Sequence, residues 1–90
     1  MYKLIITESY LKRAKRFFGK HPEVIKQYEK VIKLLCLNPQ HPSLRLHKLS
    51  GRLDGVFSVS INISYRVMIN FIIKEHRIVL IDIGSHDEVY

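Results

Sequence analysis

The chain has 90 residues, and its charge is lopsided: 15 lysines and arginines stand against 8 aspartates and glutamates, for a formal net charge of +7. This length is typical of one small domain, which we expect to span residues 1–90. The single cysteine, Cys36, excludes an internal disulfide and favours a reducing cytoplasm. No apolar run approaches the roughly 18 residues of a membrane span, so no membrane partner is expected. The positive charge favours a polyanionic partner, either nucleic acid or an acidic protein.

The first forty residues predict a short strand followed by two helices. Tyr2–Ile6 is typical of a strand, and Thr7 is a suitable N-cap for the helix that follows it. The non-apolar face of this helix carries four cations: Lys12, Arg13, Lys15 and Arg16. We expect Gly19 to end the helix. A second helix is predicted from Pro22, which suits a first helical turn, to the Asn38-Pro39 pair. The two helices should form a hairpin that covers one face of a sheet.

The stretch from Asn38 to Gly55 shows no clear periodicity, and long irregular segments of compact domains are often functional. Three leucines within it, at positions 44, 46 and 49, are expected to attach the segment to the core. Arg45, His47 and Lys48 alternate with them and are therefore expected to project from the surface.

Three alternating apolar runs follow, at Phe57–Asn62, Tyr65–Phe71 and Ile78–Ile83. Short connections between them predict an antiparallel meander, and the whole order predicts an α+β fold. Alternation places Arg66 on the sheet face opposite to its neighbours in the run. The last predicted strand leads into a segment that carries His86 and Tyr90, so both are expected near one end of the sheet.

These features together resemble the RelE/ParE superfamily of toxins from type II toxin–antitoxin pairs. The resemblance covers nearly the whole chain and includes the element order. It also rests on three motifs: His47-Lys48-Leu49-Ser50-Gly51, Ser64-Tyr65-Arg66-Val67, and Ile83-Gly84-Ser85-His86-Asp87-Glu88-Val89-Tyr90.

The resemblance implies a RelE-like fold and an mRNA interferase that acts in the ribosomal A site and inhibits translation. The YafQ-like and YoeB-like branches use an arginine on the second meander strand and a C-terminal histidine followed by an aromatic residue. Arg66, His86 and Tyr90 match those places, and His47 matches a loop histidine of the YafQ-like branch. The chain departs from the YoeB pattern because Tyr90 lies four residues beyond His86. The resemblance also implies a cognate antitoxin with an acidic tail and contacts with mRNA and ribosomal RNA. The histidines are scattered and no Cys/His ligand spacing appears, so we expect no metal and no cofactor.

The residue types fit metal-free cleavage of RNA, in which the 2′-hydroxyl is the nucleophile. Histidine exchanges protons near neutral pH, and arginine binds phosphate in a two-pronged geometry. Our hypothesis makes His86 the general acid, His47 the general base and Arg66 the clamp on the scissile phosphate. Tyr90 would stack on or orient the nucleotide. Four side chains could alternatively be structural or merely exposed: His86, His47, Tyr90 and Arg66, the last of which could pair with Asp82.

Further cations are candidates for contacts with the RNA backbone. Arg45 and Lys48 would hold phosphates beside the scissile one. The cations of the first helix, which are Lys12, Arg13, Lys15 and Arg16, would face ribosomal RNA or lie in solvent. Two other functions stay open: a ParE-like inhibitor of DNA gyrase without nuclease activity, and an inactive toxin that acts with its antitoxin as a co-repressor. Neither uses the histidines and Arg66.

Overall fold

A five-stranded sheet carries two helices on one face. The computed structural model describes residues 1–49 and 55–85. The elements in chain order are β1 (Lys3–Ile6), α1 (Glu8–Lys20), α2 (Ile25–Leu37), β2 (His47–Lys48), β3 (Phe57–Ser60), β4 (Tyr65–Ile72) and β5 (Arg77–Ser85). The strands lie in the order β1-β5-β4-β3-β2. The predicted α+β architecture, with its N-terminal strand, helical hairpin and antiparallel β3-β4-β5 meander, is confirmed.

The sheet extends beyond the predicted meander at both edges. β1 pairs in parallel with β5, with Lys3 opposite Arg77 and Ile6 opposite Leu80. At the other edge, the two-residue strand β2 pairs antiparallel with β3. β2 lies in the stretch without periodicity, where two paired residues are too few to produce an alternating pattern.

The helix boundaries follow local chemistry, with one departure from expectation. Thr7 caps α1 as predicted, because its Oγ1 accepts a hydrogen bond from the Tyr10 amide at 3.2 Å. Gly19 does not end α1, which continues through Lys20. Pro22 accounts for the later end, because a residue that precedes proline is disfavoured in helical geometry. His21 accordingly leaves the helix, with φ −133° and ψ 59°.

The core lies between the helices and the sheet. Buried side chains of both helices pack against those of the three central strands, and the core includes Tyr10, Ala14, Phe17, Val31, Leu35, Val59, Val67, Ile69, Ile78 and Leu80. The hydroxyl groups of Tyr10 and Tyr28 share a hydrogen bond of 2.7 Å. Burial raises the pKa of both hydroxyls above the usual range for tyrosine. No helix among the described residues is long and apolar enough to cross a membrane.

The irregular segment before β3 is attached to the core as predicted. Leu44 and Leu49 are buried and Leu46 is half-buried, whereas Arg45, His47 and Lys48 are exposed. A single 3₁₀ turn, Pro42–Leu44, gives the segment its only helical hydrogen bonds among the described residues. This segment brings the exposed side chains of Arg45, His47 and Lys48 to the β2 edge of the sheet.

Candidate nucleic-acid interface

Arg66 lies on the face of the sheet opposite the helices, and its guanidinium is held in place from two directions. Nε donates to Ser58 Oγ at 3.0 Å, and one terminal nitrogen donates to the Arg45 carbonyl oxygen at 3.0 Å. Ser58 is fully buried, so its hydroxyl is a fixed acceptor. The half-buried guanidinium is thereby oriented before any ligand arrives, which suits a two-pronged contact with phosphate.

His47 shares this face with Arg66. Residue 47 on β2 lies directly opposite Ser58 on β3, and directly opposed residues of antiparallel strands have side chains on the same face. Ser58 also accepts the hydrogen bond from Arg66, which reaches it diagonally, because Met68 lies directly opposite Ser58 and Arg66 lies opposite Ser60. His47 and Arg66, which the sequence singled out, therefore lie on one face of the sheet but two strands apart.

Arg45 joins the same site through its backbone. It adopts left-handed geometry, with φ 49° and ψ 49°, which costs a residue with a side chain of the order of 1–2 kcal/mol. This geometry ends the 3₁₀ turn, and the Arg45 carbonyl accepts the hydrogen bond from Arg66. The Arg45 side chain is exposed, and it lies close to Arg66 because the Arg45 carbonyl contacts the Arg66 guanidinium.

The structure separates Lys48 from this group. Lys48 lies opposite Phe57, whose side chain packs against the core beneath the helices. Alternation therefore assigns Lys48 to the sheet face opposite to His47 and Arg66. The two neighbouring residues of β2 were predicted to serve one site, and the register places them on different faces.

His86 and Tyr90 lie outside the described residues, as do Ser50 and Gly51 of the first motif. The described part of β5 ends at Ser85, opposite Tyr65, and Gly84 lies opposite Arg66. The roles predicted for His86 and Tyr90 stay predictions.

The basic face of α1 borders a second site, on the helix side of the sheet. A concavity of about 390 Å³ is lined by Arg13, Arg16, Phe17, Lys20, His21, Asp82 and Ile83. Two of the four predicted α1 cations, Arg13 and Arg16, line it. Lys12 and Lys15 are exposed but do not line it. The two arginines therefore belong to the concavity, and the two lysines lie outside it.

A bulge in β5 fixes the position of Arg13. Met68 lies opposite Asp82 and Ile69 lies opposite Leu80, so Ile81 has no cross-strand partner. Arg13 donates to the carbonyl oxygen of Ile81 at 3.2 Å. In a regular antiparallel ladder, the Ile81 carbonyl could bond to a neighbouring strand, whereas at the bulge it accepts from the Arg13 side chain.

Sequence reasoning missed His21 and Tyr65 as a pair. The Tyr65 hydroxyl and His21 Nδ1 lie 3.1 Å apart, and the two rings are in contact with centroids 4.7 Å apart. Nothing in the local sequence around His21 links it to position 65. Ser58 was missed as well, although its place on the polar side of an alternating strand that faces Arg66 was a usable signal.

Asp82 belongs to the α1 concavity, and its carboxylate accepts a hydrogen bond from the Ile83 amide at 2.8 Å. Within the part of the chain that the structure describes, Asp82 forms no ion pair with Arg66, whose hydrogen bonds include those to Ser58 and the Arg45 carbonyl. Within residues 1–49 and 55–85, no group of three or more histidine, cysteine, aspartate or glutamate side chains could hold a metal ion.

The architecture is shared with solved structures of toxins. A metal-bound toxin from Helicobacter pylori is 22% identical, with a TM-score of 0.80 and full coverage of both chains. A YoeB/ParE toxin from Agrobacterium tumefaciens is 20% identical, with a TM-score of 0.72 over 93% of this chain and 98% of that one. A chain of the E. coli DinJ–YafQ toxin–antitoxin complex is 14% identical, with a TM-score of 0.78 over 99% and 97%.

These likenesses establish the fold of the YafQ and YoeB/ParE toxins for this chain, and the resemblance to the RelE/ParE superfamily is confirmed at the level of fold. No protein-family model matches the sequence, and no curated protein matches it.

Proposed function

We propose that the protein is the toxin of a toxin–antitoxin pair and acts as a ribosome-dependent mRNA endoribonuclease. The observation that carries the proposal is the oriented guanidinium of Arg66, which shares one sheet face with His47. The fold is that of solved YafQ and YoeB/ParE toxins, and the net charge of +7 suits a polyanionic substrate.

In the proposed reaction, the groups that exchange protons or bind the scissile phosphate all belong to the chain or to the RNA. His47 takes the proton of the 2′-hydroxyl, whose oxygen attacks the adjacent phosphorus atom. Arg66 binds the phosphate oxygens as negative charge develops on them. The bond from phosphorus to the 5′-oxygen breaks, and His86 gives that oxygen a proton. The products are a 2′,3′-cyclic phosphate and a 5′-hydroxyl.

The remaining predicted residues have binding roles in this proposal. Tyr90 stacks on or orients the nucleotide, and Arg45 holds a phosphate beside the scissile one. Arg13 and Arg16 contact the RNA backbone from the helix side of the sheet. Because the described site contains so few reacting groups, the ribosome supplies part of the positioning, and positioning alone is worth several kcal/mol of the barrier.

A cognate antitoxin with an acidic segment is the second proposed partner. The support is the positive charge of this chain and the toxin–antitoxin complex that shares its fold. An acidic segment bound mainly through charge should dissociate as salt rises. An affinity that does not change between low and high salt would assign the binding to apolar contacts.

Primer extension on an mRNA in a reconstituted translation reaction tests the function. The wild-type protein should give discrete cuts that require ribosomes and leave 5′-hydroxyl ends. His47→Gln should lower the cleavage rate about 100-fold, the usual worth of a general base, and His86→Ala should lower it similarly. Lys48→Ala, on the opposite face next to His47, is the matched control and should have the smaller effect. Growth arrest without any cut, or cuts that leave 5′-phosphates, would refute the proposed reaction.

A further inference from the structure

A small concavity beside Arg66 has no role in the cleavage chemistry. It measures about 240 Å³ and is lined by Ser43, Arg45, Ser60, Ile61, Asn62 and Ile63. Ser60 on β3 lies directly opposite Arg66 on β4, so the concavity adjoins the proposed phosphate clamp on the same sheet face. Its volume is below the roughly 300–1,000 Å³ of pockets for drug-sized ligands, which suits one planar group rather than a large ligand.

The Asn62 side chain presents a fixed hydrogen-bond donor at this concavity. Its Oδ1 accepts from the amides of Ser64 and Tyr65, both at 2.9 Å. Since these two backbone donors require the oxygen, the orientation of the amide is determined and its NH₂ group points away from the turn. That NH₂ group has no hydrogen-bond partner among the described residues.

The neighbouring side chains add one apolar surface and one cation. Ile63 is 98% exposed, although the turn around it is held by hydrogen bonds, including one of 2.7 Å from Ser60 Oγ to the Asn62 carbonyl. An ordered, exposed isoleucine offers an apolar surface to the flat face of a ring. The Arg45 side chain supplies positive charge at the same place and can hold the phosphate of the nucleotide whose base is bound.

We propose that this concavity binds one unstacked base of the RNA and selects bases that carry a keto oxygen. Guanine presents O6 and uracil presents O4, and either keto oxygen can accept from the Asn62 NH₂ group. Adenine and cytosine present an amino donor at the corresponding position, which would oppose it. This inference rests on the proposed function, since it assigns a base preference to the same cleavage site.

The test compares cleavage by wild-type protein and three variants on an mRNA with randomised codons in reconstituted translation, with the cut sites sequenced. Asn62→Asp keeps an oxygen for the two backbone amides but replaces the NH₂ donor with an acceptor. Ser64→Asp adds the same charge to the same turn without altering that donor. Ile63→Ala removes only the apolar surface.

Wild-type protein should prefer guanine or uracil at one fixed position relative to the cut. Asn62→Asp should lose that preference by about tenfold, the scale of one specific base contact, and should shift towards adenine and cytosine. Ser64→Asp should keep the wild-type preference, and Ile63→Ala should cut more slowly with the preference unchanged. Identical base profiles for Asn62→Asp and Ser64→Asp would overturn the inference while leaving the nuclease function standing. A wild-type protein that cuts nowhere would overturn both.

A second measurement does not depend on the variants or on cleavage. In ¹⁵N-labelled wild-type protein, the Asn62 side-chain amide resonances should shift on titration with guanosine monophosphate. Adenosine monophosphate should shift them much less. Equal shifts with both nucleotides, or none with either, would refute selection of keto bases by Asn62.

Discussion

Ser58 is expected to act on RNA cleavage entirely through Arg66. It is fully buried and accepts the Arg66 Nε hydrogen bond at 3.0 Å, while the Arg45 carbonyl holds the guanidinium from the other direction. Ser58→Ala removes the hydrogen bond to Nε without changing any charge. The guanidinium should then shift from the position that Ser58 gives it, and misplacement of a phosphate-binding group costs catalytic rate more than binding.

The magnitude follows from the contact that is lost. A hydrogen bond to a charged group contributes about 1.5–3 kcal/mol, and the half-buried Arg66 regains part of this from water. We therefore expect Ser58→Ala to lower the free energy of unfolding by about 1.5 kcal/mol. The rate of cleavage on the ribosome should fall about tenfold, with little change in the concentration that gives half-maximal rate.

A double-mutant cycle separates this role from general destabilisation. Urea denaturation of wild-type protein, Ser58→Ala, Arg66→Ala and the double variant gives the coupling energy between the two side chains. A coupling of at least about 1 kcal/mol is expected, because the serine has little to stabilise once the arginine is gone. Additive losses, or a Ser58→Ala protein with wild-type cleavage rate, would refute the reasoning.

Two further predictions concern other parts of the molecule. Because burial raises the pKa of both Tyr10 and Tyr28 in the folded state, their contribution to stability should be complete below about pH 10, the value in the unfolded chain, and should be lost as pH rises above it. Urea denaturation across this range should show the loss, and the Tyr10→Phe/Tyr28→Phe double variant should lose less; an unchanged pH dependence would contradict the assignment. On the helix side, Arg13→Gln should weaken binding to ribosomes more than Lys12→Gln does in a sedimentation assay, since Arg13, unlike Lys12, lines the concavity and donates to the Ile81 carbonyl. Equal losses would mean that only net charge matters.

The sequence predicted those parts of the fold that produce a local pattern. The two helices and the three meander strands repeat their apolar residues at periods of about 3.6 and 2. Their predicted ends therefore lie within a few residues of the ends in the structure. The parallel pairing of β1 with β5 joins residues more than seventy positions apart, so no local pattern reports it. The prediction that α1 ends at Gly19 was wrong, because the restriction that Pro22 places on His21 decides where the helix ends.

The candidate site was predictable where one residue's position on a strand was enough. Alternation placed Arg66 on the face opposite the helices, and the structure agrees. The alternating pattern could not show that Ser58 and the Arg45 carbonyl orient the guanidinium. Those contacts depend on the register between strands and on the left-handed backbone of Arg45. The helical period identified a basic face on α1, but only the packing against the β5 bulge divides Arg13 and Arg16 from Lys12 and Lys15.

The place of β5 in the sheet determines when during its synthesis the chain can fold. β5 is the last described strand to be made, yet it lies between β1 and β4 and pairs with both. Until Arg77–Ser85 has left the ribosome, β1 has no neighbour and the sheet under the helices is missing a central strand. Non-local pairing of this kind also slows folding. The surroundings of Arg66, which include Gly84 on β5, are therefore assembled only after β5 has been made.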